Sequence, residues 1–471
     1  MMRKLVDYIH LHAERCPDKV AVVCGPQQVT YAQLSALVRQ CVLGDGSPDP
    51  SSSGDCNQEN RPHYPVCLRA TSTVDFLVHY FALHEAGGVA APLEKDMPED
   101  TFRQIAEELG RHECPEGTAD VLYTTGTTGR SKGVMISHRT ILADAENLID
   151  AMSFTPDTVF VINGPLNHIG SLSKVYPVIL LGGTIILVDG LRDLNAFFSA
   201  FNPKWSMSNG QCSMFNGQWS IKNFATFLVP ASIRILLQLA PDRIAALADR
   251  LDFIETGAAA ISQSDMEKLC SLLPHTRLYN TYASTETGII ATYNFHDPQH
   301  SCLAGCLGRP MRHSRLFITP EGLIACQGPT LMTGYIGDPE RTAAILHDDT
   351  LFTNDLGHID QDGFLHLQGR EDDVINVGGF KVAPTEVEDA AMSFPDVRDC
   401  ICLPVPHPIT GTALRLLVQM TDGTTLNKRA LALHLKEKLE TYKVPQLYEQ
   451  VATIHRTFNG KLNRKAYKLG E

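Results

Sequence analysis

At 471 residues the chain exceeds what one compact core sustains, so two or more domains are expected. Its 44% hydrophobic and 20% charged residues are those of an ordinary globular protein. A net charge of −13 argues against nucleic acid as a partner, because a phosphate backbone needs a basic face.

The chain opens with a helical pattern over Leu5 to Glu14 and a strand near Val20–Val23. A second helix follows, which Thr30 caps with Gln33 closing a capping box. The stretch from Leu43 to Pro65, rich in Ser, Pro, Gly and Asp, reads as a solvated loop. Beyond it, strand-like Val66–Arg69, helical Val74–Glu85 and strand-like Gly88–Ala91 make a βαβ unit, and similar alternation recurs through Val159–Ile162, Ile169–Leu181 and Ile185–Val188. Such repetition predicts an α/β domain whose sheet is largely parallel with helices on both faces. Ligands then sit beyond the carboxyl ends of the strands. The longest apolar run, Val175 to Val188, is broken by Gly182-Gly183 and falls short of a membrane span. After Gly369-Arg370 the texture changes to a small α+β unit, with helices over Pro384–Met392 and Leu426–Thr441 and strands over Val397–Pro404 and Leu414–Met420. Cys400 and Cys402 alternate in an apolar run and are expected in its core. Thirteen cysteines without CxxC pairs, and no leader-like start, read as reduced thiols of a cytoplasmic protein.

The chemistry starts at Tyr123-Thr-Thr-Gly-Thr-Thr-Gly-Arg-Ser-Lys132-Gly133, directly after the apolar Val121-Leu122-Tyr123. Glycines let the backbone turn its N–H groups inward, threonines add hydroxyls, and lysine supplies charge, which is what a polyphosphate needs. The spacing is not that of a Walker A loop, and no helix starts on it. Alone, the segment also reads as a Gly/Thr-rich surface turn. Further along come Tyr282-Ala-Ser-Thr-Glu286-Thr-Gly288, Thr353-Asn-Asp355, Gly369-Arg370-Glu-Asp372-Asp373, Gly378-Gly379 and Asn459-Gly-Lys461. Taken in this order, the set resembles the core motifs of the adenylate-forming superfamily, from about the first helix to the last ten residues.

The resemblance implies a large N-terminal domain (1–370), a hinge at 371–373 and a small mobile lid (374–471). It also implies activation of a carboxylic acid by ATP and Mg²⁺ to an acyl-AMP, then transfer to a thiol. Two anions must meet in that chemistry, so cations, oriented N–H donors and a metal are required. On the family pattern, Thr124, Thr125, Gly126, Thr127, Thr128, Gly129 and Lys132 hold the β- and γ-phosphates. Arg130-Ser131 departs from the usual residue–proline pair there. Glu286 corresponds to the magnesium ligand, Thr285 touches the α-phosphate, and Tyr282 packs on adenine. Gly257 and Ala258 line the adenine and acyl pockets with Ala259. Asp355 takes the ribose hydroxyls and Arg370 reaches ribose or phosphate, with Asn354 in place of the usual glycine. Lys461 is the catalytic lysine of the lid. Asp372 is the pivot, and Gly378-Gly379 borders the thiol tunnel, where Asn376 replaces a common lysine.

Pro165-Leu166-Asn167-His168-Ile169-Gly170 resembles the acyl-pocket segment of acyl- and aryl-CoA ligases. No aspartate lies between Asn163 and Lys174 to hold an α-ammonium, so an amino acid is disfavoured as substrate. His168, Ile169 and Gly170, with Ala258–Ala260, suit an apolar acyl or aromatic group, though His168 equally reads as a core histidine. The acceptor is coenzyme A or the phosphopantetheine arm of an acyl carrier protein. Lys381, Arg398, Arg415, Lys436 and Lys443 are candidates for a CoA-binding basic patch, or simply a solvated face. A binder without catalysis is a remaining alternative, supported only by Ser131, Asn354 and Asn376.

Overall fold

The structure, a computed structural model, describes residues 3–43, 63–124, 132–202, 222–298, 305–456 and 462–467. It is a mixed α/β fold with a large N-terminal domain of sheets and helices and a smaller C-terminal one. The first helix runs Leu5–Arg15 and the second Tyr31–Leu43. The predicted capping box closes the latter, with Gln33 N–H on Thr30 Oγ1 at 3.3 Å and Thr30 N–H on Gln33 Oε1 at 2.8 Å.

Among the described residues, the large domain holds a 14-stranded and a five-stranded sheet. The middle of the larger sheet is parallel, as the βαβ pattern predicts. Val20–Cys24, Thr184–Leu187, Val159–Ile162, Phe224–Phe227, Leu251–Gly257 and Arg277–Ser284 lie side by side in that order. The expectation of a largely parallel sheet fails beyond this block. From Gly288–Asn294 through Leu365–Arg370 the strands pair antiparallel; short turns join Arg277–Ser284 to Gly288–Asn294 and Thr350–Ile359 to Leu365–Arg370, where parallel pairing would need a longer crossover. The apolar run read as Ile169–Leu181 is two helices, Ile169–Leu172 and Val175–Leu181.

The five-stranded sheet carries Thr118–Thr124, paired with Val89–Leu93 on one side and antiparallel to Lys132–Ser137 on the other. No helix follows the glycine-rich segment, in line with its non-Walker spacing. Strand Thr118–Thr124 is pinned from below by a buried polar group: Asp120 accepts from Tyr80 Oη and pairs with His84 Nε2, both at 2.9 Å. Burial beside His84 pushes His138 down to about 3, so this histidine stays neutral. One apolar cluster, including Leu122, Ile141, Phe160, Val175 and Phe253, fills the space between the two sheets. A second, with Phe201, Ile233, Met266 and Leu278, covers the opposite face of the larger sheet.

A single 3-10 turn, Glu371–Asp373, separates the Leu365–Arg370 strand from the C-terminal unit. There, Val397–His407, Gly411–Met420 and Leu447–Gln450 form a three-stranded sheet under helices Pro384–Met392 and Lys428–Lys438. The predicted helix to Thr441 stops at Lys438 and resumes as a 3-10 turn, Thr441–Lys443. Cys400 and Cys402 are buried, as their alternation requires. Two bidentate arginines lock this small core: Arg464 on Glu388 at 2.7 and 2.8 Å, and Arg456 on Asp399 at 2.8 and 2.7 Å. Asp399 also faces the large domain, with Arg234 Nη1 3.7 Å away, while Arg234 Nε bonds Asp265 at 2.9 Å.

Candidate functional site

Thr124 closes its strand and Lys132 opens the next, and the two are register partners. Thr125, Gly126, Thr127, Thr128 and Gly129 lie outside the described residues, as does Lys461. Gly133 leaves no room for a side chain, since a Cβ there would stand 2.6 Å from Ile336 Cγ2 and 2.9 Å from Val121. Lys132 Nζ sits 5.0 Å from the centroid of the Tyr335 ring. The Tyr335 hydroxyl in turn donates to Glu286 Oε1 at 2.9 Å. Burial and the neighbouring Glu286 push that phenol up, so it remains a donor. The lysine and the glutamate, 154 positions apart in sequence, are thereby gathered around one tyrosine.

Thr285 and Glu286 occupy the tip of a tight turn. Ser284 N–H bonds Thr287 Oγ1 at 2.9 Å and Thr287 N–H bonds Ser284 Oγ at 3.1 Å. The turn needs glycine at 288, where φ is +66° and a Cβ would meet Asp144 Oδ1 and Thr330 O at 2.6 Å. Both tip side chains are half-buried.

The second grouping joins Tyr282, Asp355 and Arg370. Tyr282 Oη donates to Asp355 Oδ2 at 2.6 Å, and Arg370 Nε lies 3.2 Å from Asp355 Oδ1 without hydrogen-bond geometry. Asp355 and Arg370 are opposite one another on paired strands, which brings their two motifs together. The carboxylate keeps 21% of its side-chain surface open and the arginine 41%. Asn354, the departure from the family glycine, donates to Asp372 Oδ2 at 3.1 Å.

The predicted acyl segments also converge. Gly170 and Gly257 both abut the ring of Phe227, with Cβ positions 3.3 and 3.7 Å from its two Cε atoms. Gly257 additionally backs onto the Thr281 carbonyl at 2.8 Å. Ala258, at φ +67°, is a non-glycine residue in the left-handed region and is exposed at the strand end. His168, Ile169, Gly170 and Ala259 are partly exposed, and His168 precedes the one-turn helix Ile169–Leu172. In the C-terminal domain, Gly378 (φ +59°) and Gly379 (φ +94°) form a hairpin tip that Asn376 holds, its Oδ1 accepting from Gly379 N–H at 2.8 Å. Of the candidate basic residues, Lys443 is committed to Glu386 and Glu440 at 2.7 and 2.9 Å, and Arg398 lies 3.8 Å from Asp422.

Sequence reading missed three groups. Tyr335, the hub between Lys132 and Glu286, carries no motif. Lys174 and Glu255 form an ion pair at 2.6 Å with side chains 1% and 0% exposed, and Lys174 is a lone charge beside the apolar run that follows it, which was a usable signal. Asp144 is fully buried, accepts from Ile289 N–H at 2.9 Å, and is pushed up to about 8 by that burial. Among the described residues no group of three or more His, Cys, Asp or Glu side chains is arranged to hold a metal.

The chain has the fold of the adenylate-forming class, with one group formed by Lys132, Tyr335 and Glu286 and another by Tyr282, Asp355 and Arg370. It belongs to the AMP-binding enzymes of that superfamily: residues 108–336 match the AMP-binding enzyme family and 386–461 its C-terminal domain. Its class is therefore that of an AMP-forming acid–thiol ligase. It is 29% identical over 500 residues to a feruloyl-CoA synthase of Amycolatopsis, covering 96% of this chain and 95% of that protein. An indoleacetate–CoA ligase of Aromatoleum aromaticum is 25% identical, with 98% and 97% covered. In three dimensions it is similar to ATP-bound MatB from Rhodopseudomonas palustris, with a TM-score of 0.82, 22% identity and 99% of both chains covered.

Proposed function

We propose that this ligase converts a carboxylic acid and ATP to acyl-AMP and pyrophosphate, then passes the acyl group to coenzyme A with release of AMP. The observation that carries the reading is the pair of tyrosine-held carboxylates, Glu286 under Tyr335 beside Lys132 and Asp355 under Tyr282 beside Arg370. Full-length similarity to CoA ligases acting on aryl acids supports coenzyme A as the thiol.

In this reading Lys132 and the threonines and glycines at 124–129 bind the pyrophosphoryl group. Tyr282, with Gly257 and Ala258, faces adenine, and Asp355 with Arg370 takes the ribose. Thr285 contacts the α-phosphate. A lone half-buried carboxylate with one tyrosine partner fits Mg²⁺, which binds through one or two carboxylates plus substrate phosphates and not through a protein cage. Glu286 would hold that ion, which offsets the charge developing as pyrophosphate leaves. Lys461 completes the adenylation surface. His168, Ile169, Gly170 and Ala259 border the acid. Residues 1–370 act as the adenylating domain and 374–471 as a lid turning about Asp372, with Gly378-Gly379 lining the thiol path after rotation.

The test is pyrophosphate release with ATP and Mg²⁺ across fatty, aryl and amino acids, each with and without CoA. Release with one acid class, accelerated by CoA, is the expected result. Release indifferent to CoA would transfer the second step to a carrier-protein thiol, and no release with any acid would overturn the reading.

A further inference from the structure

The Lys174–Glu255 pair sits directly behind the acyl segments. Lys174 Nζ lies 5.1 Å from the centroid of the Phe227 ring, the same ring that Gly170 and Gly257 abut. Glu255 precedes Gly257 by two residues on one strand, so its side chain leaves the same face of the sheet. At about 3.3 Å per residue it stands about 7 Å deeper than the strand end where Ala258 is exposed. Lys174 binds only one of its oxygens. Glu255 Oε2 is buried without a hydrogen-bond partner among the described residues. Three more orphaned polar atoms belong to the same surroundings: Asn167 Oδ1, Ser173 Oγ and Thr281 Oγ1. Thr281 is the register partner of Gly257, and Asn167 and Ser173 flank the helix Ile169–Leu172.

A buried carboxylate oxygen left unpaired costs free energy, and a purely apolar acyl group would leave it so. Chain length is bounded as well, because a charged pair 7 Å or so down closes the path to a long alkyl tail. Resting on the ligase reading above, we infer that the acyl pocket selects an acid of aryl size whose distal end carries a hydrogen-bond donor. Glu255 is the acceptor that reads this donor, and Lys174 is the positioning residue that keeps it aimed. Asp144 adds a second carboxyl near the same ammonium, but its burial keeps it protonated near neutrality, which leaves Lys174 to Glu255. The apolar acyl group expected from Ile169 and the alanines is thus revised to one with a polar tip.

The experiment compares non-hydrolysable acyl-sulfamoyladenosines by calorimetry on the full chain: benzoyl against 4-hydroxybenzoyl, and cinnamoyl against 4-hydroxycinnamoyl. One hydroxylated analogue should bind at least about 10-fold tighter than its parent, since a site built to hydrogen-bond a substrate hydroxyl rejects the analogue lacking it. The preference should shrink in Glu255→Gln and fall within about twofold in the apolar double variant Lys174→Met/Glu255→Leu. Equal binding of parent and hydroxylated analogues, or a preference that survives the double variant, overturns the inference and leaves the ligase reading intact. If no analogue binds at all, both fall. Should the double variant fail to fold, the wild-type comparison with Glu255→Gln decides alone.

Discussion

The rim and the floor of the cleft use charge in opposite ways. At the rim, Glu286 and Asp355 are each held by one tyrosine hydroxyl and keep part of their surface open. At the floor, Lys174 and Glu255 are sealed together at 2.6 Å with no solvent to fall back on. The contrast separates two meanings of a charged residue in one pocket. A rim carboxylate has capacity for a ligand and little share in stability, whereas a floor charge is bound up with the fold and keeps only the spare Glu255 oxygen for a ligand.

The sharpest break comes at the floor. Lys174→Met alone strands Glu255 and should cost about 3–5 kcal/mol in urea unfolding, while adding Glu255→Leu should recover most of that loss. Away from the floor the sign of the comparison reverses. On the proposed mechanism, Lys461→Ala should leave the unfolding midpoint in place and lower the adenylation rate by about 10²–10³-fold, as for removal of a preplaced transition-state donor; pre-steady-state pyrophosphate release measures it. Glu286→Gln should likewise spare stability and abolish the wild-type Mg²⁺ dependence of that step. Smaller still, Tyr335→Phe and Tyr282→Phe each remove one hydrogen bond to a carboxylate, worth about 1.5–3 kcal/mol, and should show mainly as weaker ATP binding.

The finest test lies at the seam between the domains. Burial raises the Asp389 carboxyl from 3.8 to about 7, partly opposed by Arg234. The folded chain therefore holds this proton between about pH 4 and 7 while the unfolded chain does not, so stability from this group is full below that window and lost as pH rises through it. Asp389→Asn should flatten that segment of the Tm-against-pH curve by a few degrees.

How much of this was legible beforehand depends on whether a residue's partner was close in sequence. The Thr30–Gln33 capping box, the helices at 5–15 and 384–392 and the buried Cys400 and Cys402 follow from local periodicity, and each is present. Superfamily membership was legible too, through ordered motifs that local chemistry alone would not have distinguished from surface turns. The antiparallel half of the large sheet was not, because period-two alternation says nothing about the direction of the neighbouring strand. Nor was the hub at Tyr335, whose two partners come from strands and turns far away in sequence. Lys174 stood in plain view as a lone charge beside an apolar run, and only the fold shows that Glu255 is its partner.

Asn354 and Asp355 are adjacent, and successive side chains of a strand leave by opposite faces. One is bonded to Asp372, and the other is bonded to Tyr282 and faces Arg370. Their strand thus carries the proposed ribose ligand on one face and the partner of the proposed pivot on the other. A glycine at 354 would leave that second face empty. On the proposed mechanism that single amide would tie lid rotation to ribose occupancy, and Asn354→Gly should uncouple the two without touching either surface of the reaction.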